Sequence, residues 1–395
     1  MNILISGASV AGPALAYWLR RYGFTPTVVE RAPALRTGGH AVDFRGRAHL
    51  SVLDEMGVLG EVMRQQTGMG AMSYVNAAGK KLSNMSADLF AGDVEILRSD
   101  LSRILYAATD VEYLFNDTIT SMTQDESGVQ VTFQTAPARR FDLVIGADGL
   151  HSTVRALAFG PESAYVRHLG VHCAVFPIAN YLDLDHTGLT YRPPGKMVAV
   201  YSARHNTEAR AMFLFGTPPL AYDRHDTMQQ KKILAQAFDG VGWEAQRLLS
   251  AMWDAPDFYF DSVAQVRMDS WSNGRIALLG DAAYSPCLLS GMGSGLAVVG
   301  AYVLAGELAA AGGDHRVGFA RYEEAMRGYV DGAQKSGEGV SKMIVPQGRL
   351  LTAFLNQYMR LMPYLPGKQM AANSSRRTAE AITLKQYALQ SALLG

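Results

Sequence analysis

The chain is poor in cysteine, with only Cys173 and Cys287 among 395 residues. Two thiols so far apart supply neither a disulfide framework nor a metal-ligand spacing. An excess of one charge is also missing, because 36 Lys plus Arg balance 36 Asp plus Glu. Without a basic run or stripe there is no electrostatic footprint for nucleic acid. Internal repeats and low-complexity tracts are absent. The first residues enter an apolar run directly, without the charged segment and apolar core of a secretory leader, so a cytoplasmic protein is expected. One long stretch lacks charge, Ala282 to Gly306, but Pro286 and Gly291, Gly293, Gly295, Gly300 and Gly306 interrupt it. It reads as a loop leading into a buried helix, so no membrane span is expected.

What is present is concentrated first in the N-terminal thirty residues. An apolar run, Ile3-Leu-Ile, meets Gly7-Ala-Ser9-Val10-Ala11-Gly12, then an apolar helical stretch, then Thr27-Val-Val-Glu30. A strand, a glycine turn opening a helix, and a second strand ending in a carboxylate predict a βαβ unit for an adenine dinucleotide. Gly7 permits the tight turn, and Gly12 lets the helix approach the strand. The helix N-terminus offers amides and positive dipole to a pyrophosphate. Glu30 can accept hydrogen bonds from ribose hydroxyls. Ser9 stands where the full fingerprint has its middle glycine; a Cβ there could crowd the pyrophosphate, while the serine hydroxyl could also donate to it.

Further along, helical spacing over Arg45 to Met56 stops at Gly57, and Met72 to Met85 reads as a hairpin around Ala-Ala-Gly79. A helix follows with Ser99 as its expected N-cap. Strand-like runs occupy Val111–Phe115, Ile119–Gln124 and Val129–Gln134. Tyr165 to Phe215, rich in Val, Phe, Tyr and Thr, reads as an antiparallel sheet. Two more apolar strands end in glycine and carboxylate, at Asp148-Gly149 and at Gly280-Asp281. Ligands of open α/β sheets bind beyond the carboxyl ends of the strands. Three such ends in one chain imply one long ligand touching all of them, and the β-rich insert suggests a second domain over its reactive end.

The order of these motifs resembles the single-component FAD-dependent aromatic hydroxylases, the class A flavoprotein monooxygenases. Gly7 to Gly12 is similar to their FAD fingerprint. Asp142-Leu-Val-Ile-Gly-Ala-Asp148-Gly149-Leu-His-Ser-Thr-Val-Arg155 resembles their mid-chain Asp-Gly motif. Arg275-Ile-Ala-Leu-Leu-Gly280-Asp281-Ala-Ala-Tyr284-Ser-Pro286, with Gly291-Met292-Gly293-Ser294-Gly295, resembles their Gly-Asp motif and flavin-side helix. Ile96-Leu-Arg98-Ser-Asp-Leu101 resembles their Arg-x-x-Leu segment. Gly38-Gly39-His-Ala-Val-Asp43 and the overall length are most similar to the tetracycline-inactivating branch and related antibiotic-tailoring hydroxylases. Two positions depart from many relatives: Tyr284 stands for histidine and Gly295 for asparagine.

The resemblance implies an α/β fold, with a Rossmann-like FAD-binding domain (1–72, 98–164 and 266–345) and an inserted antiparallel β-sheet substrate domain (73–97 and 165–265). C-terminal helices follow over 346–395. It implies FAD as cofactor and NADPH or NADH as transient co-substrate, with no second fingerprint for the nicotinamide. Molecular oxygen would be activated as a C4a-hydroperoxyflavin that hydroxylates an aromatic or polyketide-like small molecule. Asp281 would bind ribityl hydroxyls, and Arg98 would neutralise pyrophosphate or clamp the ribityl chain. Asp148 would support FAD and shape the nicotinamide approach. The amides of Gly291 to Ser294, beyond Pro286, would face the pyrimidine end of the flavin. Arg31, Arg36 and Asp43 are further cofactor candidates, and Arg45 and Arg47 are conceivable nicotinamide contacts. Tyr191, Tyr201, Phe213 and Phe215 of the insert are candidate substrate contacts, although sheet-core positions explain such aromatics equally well. No catalytic base and no metal ligand is assigned. A flavin dehydrogenase or reductase, a Baeyer–Villiger oxygenase, a flavin-free NAD dehydrogenase and a non-catalytic flavin protein remain open at this point.

Overall fold

A computed structural model of the chain describes residues 1–36, 38–86, 92–203, 206–361 and 376–388. Its organising element is a six-stranded sheet in the order Ser272–Asn273, Ile276–Leu278, Leu143–Gly146, Asn2–Ser6, Thr25–Glu30, Glu112–Phe115. All neighbours pair parallel except the short Ser272–Asn273 edge. Strand Asn2–Ser6 is buried beyond its first residue, with Ile3, Leu4 and Ile5 at its centre, because both of its faces are covered. Helix Ala11–Arg21 packs on it and against the long apolar helix Gly293–Ala310. That second helix is apolar enough to cross a membrane by composition, but 78% of the qualifying window is buried inside the protein. It is the core helix of the cofactor-side domain, flanked by Ala11–Arg21 and by His315–Ile344.

The second layer is a seven-stranded sheet, ordered Tyr259–Val266, Val166–Ile178, Glu208–Gly216, Lys196–Ala203, Thr187–Tyr191, Ala71–Val75, Lys81–Ser86. It is antiparallel except where Thr187–Tyr191 runs parallel to Ala71–Val75. Those two strands are separated by the whole Asp-Gly half of the molecule, so no short hairpin dictates their direction. Strand Val94–Leu97, expected within the insert, instead forms a two-stranded ribbon with Ala41–Phe44. The strand-like runs Ile119–Asp125 and Gly128–Phe133 join Arg139–Phe141 in a separate three-stranded meander.

Ser99 does not cap its helix. The helix is Arg98–Ala107, its N-cap is Leu97, and the Ser99 hydroxyl is buried without a hydrogen-bond partner. Of the expected C-terminal helical segment, Arg349–Leu361 is a helix, while 362–375 and 389–395 lie outside the described residues.

Candidate functional site

The chain leaves strand Asn2–Ser6 for Thr25–Glu30 on one side and later returns as Leu143–Gly146 on the other. That reversal creates a switch point, where loops diverge and leave a crevice at the strands' carboxyl ends. Gly7 sits there at φ +107, and a Cβ would come within 2.5 Å of the Ala147 carbonyl oxygen. At Gly12 a Cβ would lie 1.9 Å from the Gly7 carbonyl oxygen, so backbone fills the space a side chain would need. The N-cap Val10 makes no side-chain capping bond to helix Ala11–Arg21. Glu30 accepts from the amides of Ala8 and Ala32, each at 2.8 Å, which holds its carboxylate against the glycine turn. Ser9 lies 3.5 Å from Ser102 through their hydroxyls. Arg31 and Arg36 are exposed beside this edge.

Arg98 and Asp281 meet across the crevice. The half-buried Arg98 guanidinium has no hydrogen-bond or ion-pair partner among the described residues, and its pKa is lowered by burial while Tyr259, Asp281 and Asp257 oppose that shift. Asp281 is open to solvent by surface area, yet burial raises its carboxyl pKa, opposed by Arg98 and a hydrogen bond from Ser285. His40 lies tilted against Tyr259, with ring centroids 5.6 Å apart, and its pKa is pushed down to about 3 by burial and the Arg98 charge.

The Asp148-Gly149 turn is braced internally. Asp148 accepts from the hydroxyls of Ser6 and Ser152 and from the amides of Thr153 and Val154. Burial raises its pKa while these donors oppose the rise. The carboxylate thus secures the start of helix Thr153–Phe159, and Gly149 is left on the open side.

Gly280 is buried at the end of strand Ile276–Leu278, and Pro286 is buried beyond it. Gly291, Gly293 and Ser294 are partly exposed, Met292 is buried, and helix Gly293–Ala310 begins there without a side-chain cap. Asp43 and Arg45 form an ion pair at 3.0 Å beside Gly291, while Arg47 is exposed. Both departures from the family pattern now have a physical reading. Tyr284 is fully buried against Trp271, its hydroxyl 3.1 Å from that of Tyr322, so it serves the core behind the crevice. At Gly295 a Cβ would lie 2.0 Å from His49 Cε1. His49 accepts from the Arg45 amide at Nδ1 and therefore presents N–H at Nε2 to Tyr329. Burial pushes its pKa down to about 4.

The period of two along the strands sorts the substrate candidates. Tyr191 packs against Trp243, while Phe213 and Phe215 join the cluster under helices Thr227–Ala237 and Ala245–Met252. These three face away from the crevice, which corrects their assignment as substrate contacts. Tyr201 faces the other way, beside Cys173 and the Ala41 backbone, and its buried hydroxyl lacks a partner of hydrogen-bond geometry. On the same face lies Arg210, buried, with Nη2 donating to Glu208 at 2.8 Å and with Nε and Nη1 unpartnered among the described residues. Nearby Glu95 accepts from Thr67, and burial with the Asp43 charge lifts its pKa to about 7. The sheet face continues through Cys173, Met197 and Leu214, packed toward Cys287 and Val345. Both cysteines are free thiols, and no cluster of metal-ligating side chains occurs among the described residues.

These features fit an adenine dinucleotide bearing a flavin. The glycine turn leaves room only for backbone, two helix N-termini lack side-chain caps, and a partnerless guanidinium stands opposite a wetted carboxylate.

The family model described as FAD binding domain matches residues 1–326. An uncharacterized protein of Mycobacterium tuberculosis is 48% identical over 338 residues, covering 84% of this chain and 91% of that protein. A flavin-dependent monooxygenase of Legionella longbeachae is 42% identical over 347 residues, covering 87% and 89% respectively. The crystal structure of the tetracycline destructase Tet(51) superposes with a TM-score of 0.87 at 36% identity, covering 98% of this chain and 99% of that one.

Proposed function

This chain belongs to the FAD binding domain family and is an FAD-dependent monooxygenase of the class A flavoprotein type, and from that premise we propose its reaction in more detail. It consumes NADPH or NADH and dioxygen and hydroxylates an aromatic or polyketide-like small molecule. The observation that carries this reading is the convergence of Arg98, Asp281 and the glycine turn on one crevice that opens toward the sheet face of Tyr201 and Arg210.

In this reading the amides of helix Ala11–Arg21 receive the pyrophosphate, and Glu30 keeps acceptor capacity for ribose hydroxyls. Asp281 and Arg98 grip the chain between ribose and ring, one accepting hydroxyls and the other supplying positive charge. The Asp148-Gly149 turn supports the cofactor through its backbone, its carboxylate being engaged in bracing. The N-terminus of Gly293–Ala310 offers partial positive charge without a full cation. Bound there, FAD would supply hydride acceptance from the nicotinamide and activation of oxygen.

The remaining work falls to the protein. Met197, Leu214 and Cys173 keep the reacting region dry, which protects an oxygen-transferring centre from water. Arg210 has two nitrogens, Nε and Nη1, without partners among the described residues, the donor set that would hold an acidic oxygen such as a phenolate or enolate. Tetracyclines enter the candidate list because Tet(51) carries that name and shares the fold along nearly its whole length. A cytoplasmic location goes with this proposal, since the reductant must be available where the enzyme works.

The test is substrate-stimulated NADPH oxidation under isotopically labelled dioxygen, with phenols, polyketides and tetracyclines as probes. One labelled oxygen atom in the product is expected. NADPH oxidation with unlabelled product would mark a dehydrogenase or reductase instead.

A further inference from the structure

One edge strand of the seven-stranded sheet makes the seam with the cofactor-side domain. Tyr259 and Asp261, two residues apart on this strand, share a face, and Asp257 lies in the segment leading into it. Asp257 accepts from the Gly39 amide at 3.1 Å, and Tyr259 lies against His40. Asp261 meets His151, three residues beyond Asp148.

The geometry at His151 is specific. Its Nδ1 stands 3.0 Å from both carboxylate oxygens of Glu162, and its Nε2 stands 3.1 Å from both oxygens of Asp261. A neutral imidazole has a single N–H, so one carboxylate would face a nitrogen lone pair. Only the imidazolium donates in both directions. We propose that His151, as an imidazolium bridging Glu162 and Asp261, is a positioning residue that locks the Asp148-Gly149 turn onto the edge strand of the substrate sheet. The inference rests on the reading that this turn supports FAD.

The surrounding charges decide what happens when the proton leaves. Glu162 has two other cations, Arg155 at 3.7 Å and Arg224 at 3.5 Å. Asp261 has His151 as its ion-pair partner and, besides it, the amide of Ser262 at 2.7 Å. His172 lies near Asp261 but is held neutral, its pKa pushed down to about 4 by burial. The other titratable groups in reach of Asp261 are Tyr222, Tyr259, Cys173 and Asp281, and none can replace a cation. Deprotonating His151 therefore strands Asp261, and its charge then bears on Asp281 in the crevice.

The sign follows from the shifts. The carboxylates raise the His151 pKa against the opposing cost of burial, so its contribution is complete below the ordinary 6.5 and is lost as pH rises through the raised value. Glu162 is shifted down by its His151 hydrogen bond and neighbouring cations against burial, so its contribution is present above the ordinary 4.5 and is lost as pH falls through the lowered value. The lock is fullest between those two ordinary values and loosens on the alkaline side.

The experiment follows FAD release from the loaded protein by flavin fluorescence between about pH 6 and 9.5, in wild type, His151→Gln and Asp261→Asn. Hydrogen exchange of Tyr259–Val266, corrected for intrinsic pH dependence, is read in parallel. Wild type should release FAD about tenfold faster at the alkaline end, the scale of one charge-assisted hydrogen bond. His151→Gln should release fast at every pH, and Asp261→Asn should lack the alkaline limb. An alkaline limb of wild-type size in both variants would overturn the proposal. Should His151→Gln not fold, Asp261→Asn, which keeps the shape of the side chain, decides alone. Should wild type hold no FAD, the cofactor reading fails separately. The exchange data then decide the lock: protection lost at alkaline pH in wild type but not in the variants supports it, and identical profiles refute it.

Discussion

Arg155 donates through Nη1 to the Ala282 carbonyl at 3.0 Å, which ties the Asp-Gly turn to the Gly-Asp turn behind the crevice. Its Nη2 donates to Leu150 at 2.6 Å, and the residue is fully buried. The two motifs are 127 residues apart in sequence yet share one guanidinium. Replacing Arg155 by Met, which keeps bulk and removes the donors, should cost about 2–4 kcal/mol in urea unfolding. It should also weaken FAD binding, because both turns shift together. An unfolding midpoint matching wild type would deny the guanidinium this bracing role.

Asp281→Ala and Arg98→Ala should each raise the FAD dissociation constant at least tenfold, or about 1.4 kcal/mol. The thermal midpoint of the flavin-free protein should move far less than the affinity, since Arg98 has no hydrogen-bond or ion-pair partner among the described residues and Asp281 gives up a Ser285 hydrogen bond at a solvent-exposed position. Fluorescence titration of apoprotein checks this. Full affinity in both variants would remove these residues from the cofactor site.

Gly295→Ala should destabilise by about 1–3 kcal/mol, because the new methyl meets a ring that cannot swing away. His49 is fixed at both nitrogens, by the Arg45 amide and by Tyr329. Trimming the ring with His49→Ala should make the same Gly295 substitution nearly neutral, a coupling that a double-mutant cycle reads directly. Additive effects would mean the two positions do not compete for space.

The histidine share of stability should fall as pH drops from about 6.5 towards 4. His40, His49 and His172 are held neutral by burial, with values pushed down to about 3, 4 and 4. Unfolding lets each take up a proton at the ordinary value, so the unfolded state gains in that window. Glu95 acts oppositely over pH 4.5 to 7, because its raised value favours the folded state when protonated. Asp148 and Asp281, whose carboxyls burial also raises, act in the same sense as Glu95, so the histidine share is isolated by comparing wild type with a histidine variant. Urea melts of wild type and His49→Gln across this range check it: the variant should show a shallower acid limb, and an identical limb would contradict the assignment.

Much of the cofactor side was readable from local chemistry. Gly7, Gly12 and Glu30 come together within one βαβ unit, and apolar runs ending near Asp148 and Asp281 mark strand ends wherever they pair. What sequence could not supply was the partner across the fold. Arg155 and His151 stand inside the quoted motif, but their contacts, Ala282 and Asp261, lie more than a hundred residues away. The insert failed for another reason. Phe213 and Phe215 have the right chemistry for a substrate face, and only strand register shows that their parity belongs to the helix-covered side. Arg210, of opposite parity to Phe213, belongs to the other face, and an arginine within a strand carries no sequence signal of burial.

The most direct measurement is the visible absorption spectrum of the purified protein, before and after incubation with FAD and removal of excess. Three distant turns meeting around one flavin should give stoichiometric isoalloxazine absorption in wild type and a markedly reduced band in Asp281→Ala and Arg98→Ala. A colourless wild-type protein that stays colourless after incubation would contradict the account.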